Sequence, residues 1–191
     1  MSLVPAFEIG IWNAWILTLT YFMVPPLLMA LINREALKKS ERAPLSGTLR
    51  KIHPYITAIY FLALIYSIFL PLKFGAAWFY AGLAVYLVGL VMYIIAWVNF
   101  DITPLDEPVF NGLYRYSRHP MYLSQFLVLI GVGIATASWF FLLFAIVYTI
   151  FSLFRAIHEE RLCLEKYGNS YREYMNRTPR WIGITKSGGA N

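Results

Sequence analysis

Two polar stretches interrupt the apolar C-terminal half of the chain and carry the residues best suited to chemistry. The first ends at Arg118, His119 and Pro120, immediately before a long apolar run. Proline suits the first turn of a helix, where free N–H groups and the helix dipole favour an anion. Arg118 adds positive charge, and His119 adds an imidazole that can donate a hydrogen bond while neutral. The pattern predicts an anion-binding helix start, although the same residues would also suit a helix end anchored at lipid headgroups.

The second stretch follows the next apolar run and contains Arg155, Glu159 and Glu160. Arg155 and Glu159 are four residues apart, so they share a helical face. On a protein surface such a pair is common and contributes only about 0.3–0.5 kcal/mol. Arg155, however, directly follows Phe154 at the end of an apolar run, and an arginine at that depth needs a partner or a cavity. Two adjacent acids in a basic tail favour a site for a cationic or hydroxyl-rich ligand.

Composition places these stretches in a membrane protein. The 191 residues are 59% hydrophobic and 14% charged, whereas soluble domains carry roughly 25% charged residues. The mean hydropathy is +0.58. The apolar residues come in long uncharged blocks, which is typical of transmembrane helices.

We predict an all-α, polytopic integral membrane helical bundle that forms a single domain over residues 1–191. The five transmembrane helices are expected at about 9–33, 52–72, 75–100, 119–136 and 138–157, before a cytosolic amphipathic tail over 158–191. The last two helices come from one uncharged block that is too long for a single span, since about 20 residues cross the hydrocarbon. Small residues around Ala137 mark the expected tight turn between them.

The distribution of positive charge predicts the orientation. Of the 16 Lys and Arg residues, all but Lys73 fall on one side of the predicted spans. By the positive-inside rule, the N-terminus is expected outside and the tail in the cytosol. The net charge of +6 is then explained by orientation and by anionic lipid headgroups, so no nucleic-acid partner is needed. A lone cysteine, Cys163, and the absence of metal-site spacing predict neither a disulfide nor a bound metal.

Charge placement also bears on the class of function. The first three predicted spans contain no Asp, Glu, Lys or Arg, whereas a pump or ion-coupled transporter places ionisable groups at mid-membrane depth. Because the last two spans form a hairpin, the start of the fourth lies beside the end of the fifth. The two polar stretches are therefore expected to form one cytosolic site. A small-molecule transporter or a membrane scaffold is the non-enzymatic alternative.

The tail is predicted to add a short amphipathic helix. Gly168 is typical of a helix stop, and Ser170 with Glu173 forms a capping-box pattern that would begin a new helix. Tyr167, Tyr171 and Tyr174 recur at helical spacing. The helix would serve as an interfacial anchor or as a lid over the polar site.

At these residues the chain resembles the isoprenylcysteine carboxyl methyltransferase and phospholipid methyltransferase superfamily of integral membrane enzymes. The matching features are Arg118-His119-Pro120-x-Tyr122, the preceding Gly112-x-Tyr114, the acidic pair Glu159-Glu160, Tyr167-Gly168-x-x-Tyr171-x-x-Tyr174 and Thr178-Pro179-Arg180. They cover roughly the C-terminal half, and their combined order is specific. The first two spans match only in hydrophobicity.

The resemblance implies S-adenosyl-L-methionine as methyl donor and S-adenosyl-L-homocysteine as product. The cofactor site would be lined by Tyr114, His119, Pro120, Met121, Tyr122 and Glu159, with Glu160 as a second acid. The segment Asp106, Glu107, Pro108 and Val109 aligns with a further cofactor-contacting piece, although its residue types differ. Arg155 falls where the carboxyl methyltransferases place an arginine that binds and orients the acceptor, which gives it a catalytic and substrate-binding role. Without a Rossmann phosphate loop, the cofactor must be held by helix ends and the tail.

Methyl transfer from a sulfonium is an in-line displacement, and a carboxylate acceptor is already ionised at neutral pH. The enzyme would therefore align the reactants and exclude water. We expect a lipidic acceptor that enters sideways between helices, with carboxyl methylation of isoprenylcysteine-like substrates foremost. N-methylation of a phospholipid amine and S-methylation of a small thiol are the alternatives.

Overall fold

The computed structural model describes residues 8–32, 47–104 and 106–183, and within these ranges its regular structure is entirely helical, with one isolated β-bridge. The described α-helices are α1 (Trp15–Leu31), α2 (Gly47–Ser67), α3 (Ala77–Ile102), α4 (Pro120–Ala135), α5 (Trp139–Tyr167) and α6 (Asn169–Arg177), and a 3₁₀ helix spans Gly112–Arg115. The predicted all-α class is confirmed.

Two of these helices meet the requirements of a membrane span. In the described part of the chain, α3 and α5 are long and apolar enough to cross a bilayer, and α1 and α4 are shorter apolar helices. Large apolar side chains face outwards along these helices, including Val88, Leu143 and Phe154. Because soluble monomers rarely expose extended apolar patches, this surface indicates association with a membrane. The count of five spans stays a prediction.

The first two predicted spans differ in their bounds from the helices that the structure shows there. The first helix begins at Trp15 rather than at residue 9, and its expected end at 33 lies outside the described residues. The second span was predicted at 52–72, but α2 covers Gly47–Ser67. The residues after Ser67 form a turn that brings Pro71 into a bridge with Asn13. Hydropathy marks where a chain can be buried, whereas backbone hydrogen bonding decides where a helix ends.

The helix that contains the fifth predicted span continues ten residues past the predicted end of the span at 157. The tail was expected to begin at 158, but α5 continues to Tyr167 and ends at Gly168, which has a φ of +57°. A left-handed glycine is a frequent helix terminator, so the helix stop predicted at Gly168 is confirmed. The acidic pair therefore lies on α5 itself, past the apolar segment that ends near Phe154.

The turn between α4 and α5 lies where the sequence predicts it. Ala137 adopts a left-handed φ of 51° between the two helices. The hydroxyl oxygen of Ser138 then accepts a hydrogen bond from the Phe141 N–H at 3.2 Å and caps α5. The hairpin returns the chain towards the start of α4, so the polar ends of both helices face the same side of the bundle.

Close contact between α3 and α4 fixes the position of α4. A Cβ atom added to Gly82 would lie 2.2 Å from the backbone nitrogen of Ala135, and one added to Gly89 would lie 2.7 Å from that of Val128. From the other side, a Cβ atom on Gly131 would lie 2.5 Å from the backbone nitrogen of Tyr86. Small residues let helix backbones approach closely in membrane proteins. These glycines therefore allow α4 to pack closely against α3.

Candidate active site

The start of α4 meets the part of α5 that carries the acidic pair, as the sequence predicts. The Ser117 hydroxyl oxygen accepts a hydrogen bond from the His119 backbone N–H at 3.1 Å, and α4 begins at the next residue, Pro120. The His119 ring lies between two acids of α5. Its Nε2 is 3.2 Å from Glu160 Oε1, and its Nδ1 is 4.0 Å from Glu159 Oε2. The two polar stretches thus form one cluster, which is buried at His119.

Glu160 is the most heavily paired acid of the cluster, with a side chain that is 4% exposed. Arg180 donates to both of its carboxylate oxygens, with Nη2–Oε2 at 2.7 Å and Nε–Oε1 at 3.1 Å. Arg118 Nη1 lies 3.3 Å from Oε1. Burial by itself would raise the pKa of Glu160, but the hydrogen bonds from His119 and Arg180 and the charge of Arg118 outweigh burial and lower the pKa from 4.5 to about 2. Glu160 is therefore ionised near neutral pH.

Residues 178–181, which we call the tail strap, close over this cluster. The Arg118 backbone N–H donates to the Pro179 carbonyl at 3.0 Å, and the Ser117 hydroxyl donates to the Arg180 carbonyl at 3.2 Å. The Trp181 ring lies 5.5 Å from the His119 ring. The partnership of Arg180 with Glu160 was not foreseen from sequence. The one signal for it was the Thr178-Pro179-Arg180 pattern that carried part of the resemblance.

Glu159 is more open than its neighbour and makes different contacts. The Tyr122 hydroxyl donates to Glu159 Oε1. Arg155 Nη2 lies 3.9 Å from the same oxygen, and the Arg155 guanidinium carbon lies 5.7 Å from the centre of the Tyr122 ring. The pair expected between Arg155 and Glu159 is present but long. Tyr122, Arg155 and Glu159 therefore form the face of the cluster that remains accessible to a ligand.

Tyr114 lies buried beneath α6, where its carbonyl accepts a hydrogen bond from the Tyr174 hydroxyl at 2.7 Å. Burial raises the pKa of Tyr114 well above its usual value of 10, and the nearby Tyr174 and Glu159 raise it further. Tyr171 and Tyr174 of α6 are also buried. The tyrosine face of the tail helix thus packs against the protein.

The capping box predicted at Ser170 and Glu173 is wrong. Helix α6 begins at Asn169, directly after Gly168, and has no side-chain cap. The Ser170 hydroxyl instead donates to the Tyr167 carbonyl at 3.1 Å. The positive φ of 57° at Gly168 breaks the helix, and α6 begins at the next residue without a capping side chain.

The segment 106–109 stands apart from the cluster. Asp106 and Glu107 are exposed, and the Glu107 N–H closes a turn onto the Pro104 carbonyl at 3.3 Å. The next residue, Phe110, has its ring centre 4.5 Å from that of Tyr174. Within the described ranges, the contacts that build the cluster around His119 do not include this segment. Pro120 is buried and Met121 half-buried in the first turn of α4, next to His119 in sequence.

A cavity of about 290 Å³ lies further along the bundle, between all five long helices. Its lining is uncharged and mostly aromatic, and consists of Tyr21, Phe22, Pro25, Pro26, Tyr60, Tyr93, Gln125 and Tyr148. The Gln125 amide donates to the Tyr21 hydroxyl and, at 3.2 Å, to the Tyr148 hydroxyl. Tyr148 and Arg155 are seven residues apart on α5, which places them on one helical face. Tyr148, which lines the cavity, and Arg155, which belongs to the cluster, therefore lie along the same face of α5.

Comparison with known proteins finds relatives of the chain in sequence. A model of the phospholipid methyltransferase family matches residues 72–170, just over half of the chain. Methanethiol S-methyltransferase 1 of Bradyrhizobium diazoefficiens is 37% identical over 75 residues, which is 39% of this chain and 26% of that protein. The chain thus matches about a quarter of the length of this relative. The family match runs from just before α3 to the start of α6 and includes every cluster residue except those of the tail strap. The chain belongs to the phospholipid methyltransferase family.

Proposed function

We propose that the protein is an S-adenosylmethionine-dependent methyltransferase that acts on a membrane-partitioned acceptor at the cytosolic end of its helical bundle. The observation that carries this proposal is the meeting of His119, at the start of α4, with Glu159 and Glu160 in the C-terminal third of α5, at distances of 3.2–4.0 Å. Membership of the family supports methyl transfer. The apolar outer surface of the helices supports a location in the membrane.

The cluster has the charges needed to hold a zwitterionic nucleoside such as S-adenosylmethionine, which supplies an electrophilic methyl group on a sulfonium. The Arg118 side chain is 9% exposed, and its buried Nε–H donates to no atom of the described residues. Its guanidinium charge lies beside the free N–H groups at the start of α4, and the two together favour the carboxylate of the cofactor. Glu159 offers the opposite charge for an ammonium or hydroxyl group.

Arg155 is suited to orient an anionic acceptor. Its side chain is 33% exposed, and its contact with Glu159 is 3.9 Å, longer than a hydrogen bond. A guanidinium binds a carboxylate through two parallel N–H groups, and the acceptor carboxylate needs no general base. The cavity beyond Arg155 would receive the adjoining apolar part of the acceptor. We therefore favour carboxyl methylation of an isoprenylcysteine-like lipid, with Arg155 aligning the nucleophile and the surrounding helices excluding water.

Two other acceptors each have an observation in their favour. The bacterial relative is named for methylation of methanethiol, and a cavity of about 290 Å³ would hold a small thiol. The family is described by methylation of phospholipids, and aromatic rings such as those of the cavity attract the ammonium group of an amine headgroup. The thiol and the amine must each lose a proton before or during methyl transfer. Tyr122 or Glu159 would have to assist that proton transfer, which a carboxylate substrate does not require.

The purified protein in lipid nanodiscs tests the proposal in two steps. S-adenosylhomocysteine should raise the melting temperature in proportion to the logarithm of its concentration above Kd. Labelled methyl groups should then be transferred to a prenylcysteine analogue at least about tenfold faster than to an ethanolamine lipid or a small thiol. No stabilisation by S-adenosylhomocysteine would refute the cofactor assignment, and faster transfer to either other acceptor would refute the preferred substrate.

A further inference from the structure

The two acids beside His119 have different partners, although they are neighbours in sequence. Both oxygens of Glu160 bind Arg180, and one of them also lies near Arg118 and His119. Glu160 is almost fully covered, so a ligand has no free approach to its carboxylate. Glu159 is more exposed, and its Oε2 faces the other nitrogen of the same ring, at 4.0 Å. The sequence pattern predicted that both acids would touch the cofactor, but their surroundings support this role for Glu159 alone.

The contact with Glu160 decides which ring nitrogen of His119 carries the proton. An ionised carboxylate can only accept hydrogen bonds, and the lowered pKa of Glu160 keeps it ionised. The 3.2 Å contact therefore requires a proton on Nε2. In the neutral ring, Nδ1 is then an acceptor directed towards Glu159. His119 Nδ1 and Glu159 Oε2 are then both acceptors, so they cannot bond to each other across 4.0 Å. An ammonium group has several N–H bonds and can donate to both atoms.

We propose that Glu160 and Arg180 are a positioning pair that turns Nδ1 of His119 towards Glu159, so that His119 and Glu159 together receive the ammonium group of the cofactor. The inference rests on the proposed function, because it assigns roles within the same site. With the ammonium group assigned to His119 and Glu159, the cofactor carboxylate is assigned to Arg118 and the first turn of α4. His119, which the sequence analysis placed in an anion-binding helix start, becomes a ligand of the ammonium group instead.

The same pair ties the tail strap to the cofactor site. Arg180 contributes its guanidinium to Glu160 and its carbonyl to Ser117, and the neighbouring Pro179 carbonyl accepts from Arg118. Trp181 then lies beside the His119 ring. Loss of the pair is expected to release the ring and the strap together, without removing any group that touches the ligand.

A matched pair of ligands separates the roles of the two acids. Isothermal titration compares S-adenosylhomocysteine with an analogue in which hydrogen replaces the α-amino group, on the full-length protein in nanodiscs. The unmodified protein should prefer S-adenosylhomocysteine by at least about tenfold. Glu159→Gln should reduce this preference to about twofold or less, while Glu160→Gln and Arg180→Gln should reduce it only partly. The exposed Glu173→Gln, whose partner is Arg177, is the control and should leave the preference unchanged.

The ring tautomer gives a readout that a loss of general stability would not produce. Nitrogen-15 NMR of protein labelled at its three histidines should show His119 as the Nε2–H tautomer, assigned by its loss in His119→Gln. Glu160→Gln and Arg180→Gln should convert this signal to a mixture of tautomers, and Glu159→Gln should not. An unchanged tautomer in Arg180→Gln, or a ligand preference that depends on Glu160 but not on Glu159, would overturn the inference. If S-adenosylhomocysteine did not bind at all, the proposed function would fail, and the tautomer result would still decide whether the pair positions the ring.

Discussion

The hydroxyl of Tyr122, in the first turn of α4, donates a hydrogen bond to Oε1 of Glu159 near the end of α5. The two residues are 37 positions apart, and an apolar hairpin lies between them. The bond holds one carboxylate oxygen, so the other is directed to the His119 ring at 4.0 Å. A hydrogen bond to a charged group contributes about 1.5–3 kcal/mol, enough to restrict the rotation of a half-exposed acid.

The first prediction concerns this bond. Tyr122→Phe keeps the ring beside Arg155 but removes the donor, so Glu159 should become mobile. We expect S-adenosylhomocysteine to bind about tenfold more weakly, which corresponds to about 1.4 kcal/mol, as measured by isothermal titration. The control is Tyr116→Phe, because Tyr116 is exposed and its hydroxyl should not affect binding. Equal affinities of both variants for S-adenosylhomocysteine would show that binding does not depend on the hydrogen bond from Tyr122 to Glu159.

The second prediction concerns the acceptor. Arg155→Ala should lower kcat for methyl transfer by about 100-fold or more, since misplacing a reactant by one ångström can cost that much. The Kd for S-adenosylhomocysteine should change by less than about threefold, because the residues proposed to hold the cofactor remain. Arg177→Ala removes an exposed arginine that also has an i,i+4 acidic partner and should preserve both values. Unchanged turnover in Arg155→Ala would exclude the role assigned to Arg155.

The sequence predicted the parts of the site that depend on local chemistry. Proline at the start of α4, the turn at Ala137 and the stop at Gly168 are each determined by backbone preferences of one or two residues. The juxtaposition of His119 with the acidic pair then followed from the hairpin. Arg180 could not be paired with Glu160 in the same way, because 20 residues and the helix break at Gly168 separate them. Likewise, hydropathy could not reveal that α2 begins before its first apolar residues.

The third prediction follows from the depressed pKa of Glu160. A carboxyl group with a pKa of 4.5 when unfolded and about 2 when folded stabilises the folded protein fully above pH 4.5, and this stabilisation is lost as the pH falls towards 2. The contribution is up to about 3 kcal/mol, because each tenfold change in proton affinity corresponds to about 1.4 kcal/mol. Melting temperatures of the detergent-solubilised protein and of Glu160→Gln should therefore differ most at pH 6. The difference should shrink steadily between pH 4.5 and 2.5, and a constant difference would contradict the assignment.

The fourth prediction concerns the contact between α3 and α4. Gly82→Ala places a Cβ atom 2.2 Å from the Ala135 backbone nitrogen, whereas Gly75→Ala places one where no atom lies within 4 Å. Overpacking of this kind typically costs about 1–3 kcal/mol. We expect Gly82→Ala to lower the melting temperature by several degrees and Gly75→Ala to leave it within about one degree. If both variants melted like the unmodified protein, the helices would not approach as closely as the structure shows.

The last prediction concerns the orientation in the membrane, which rests on loop charge alone. Cys163 is the one native cysteine, so Cys163→Ser provides a background without thiols. In that background Gly75→Cys lies in the turn before α3, and Arg172→Cys lies on the exposed face of α6. The positive-inside rule places the first outside and the second in the cytosol. An impermeant maleimide should label Gly75→Cys in intact cells and should reach Arg172→Cys only after permeabilisation. The reverse pattern would place the cluster on the opposite side of the membrane, where the supply of S-adenosylmethionine that the proposed function requires would be lacking.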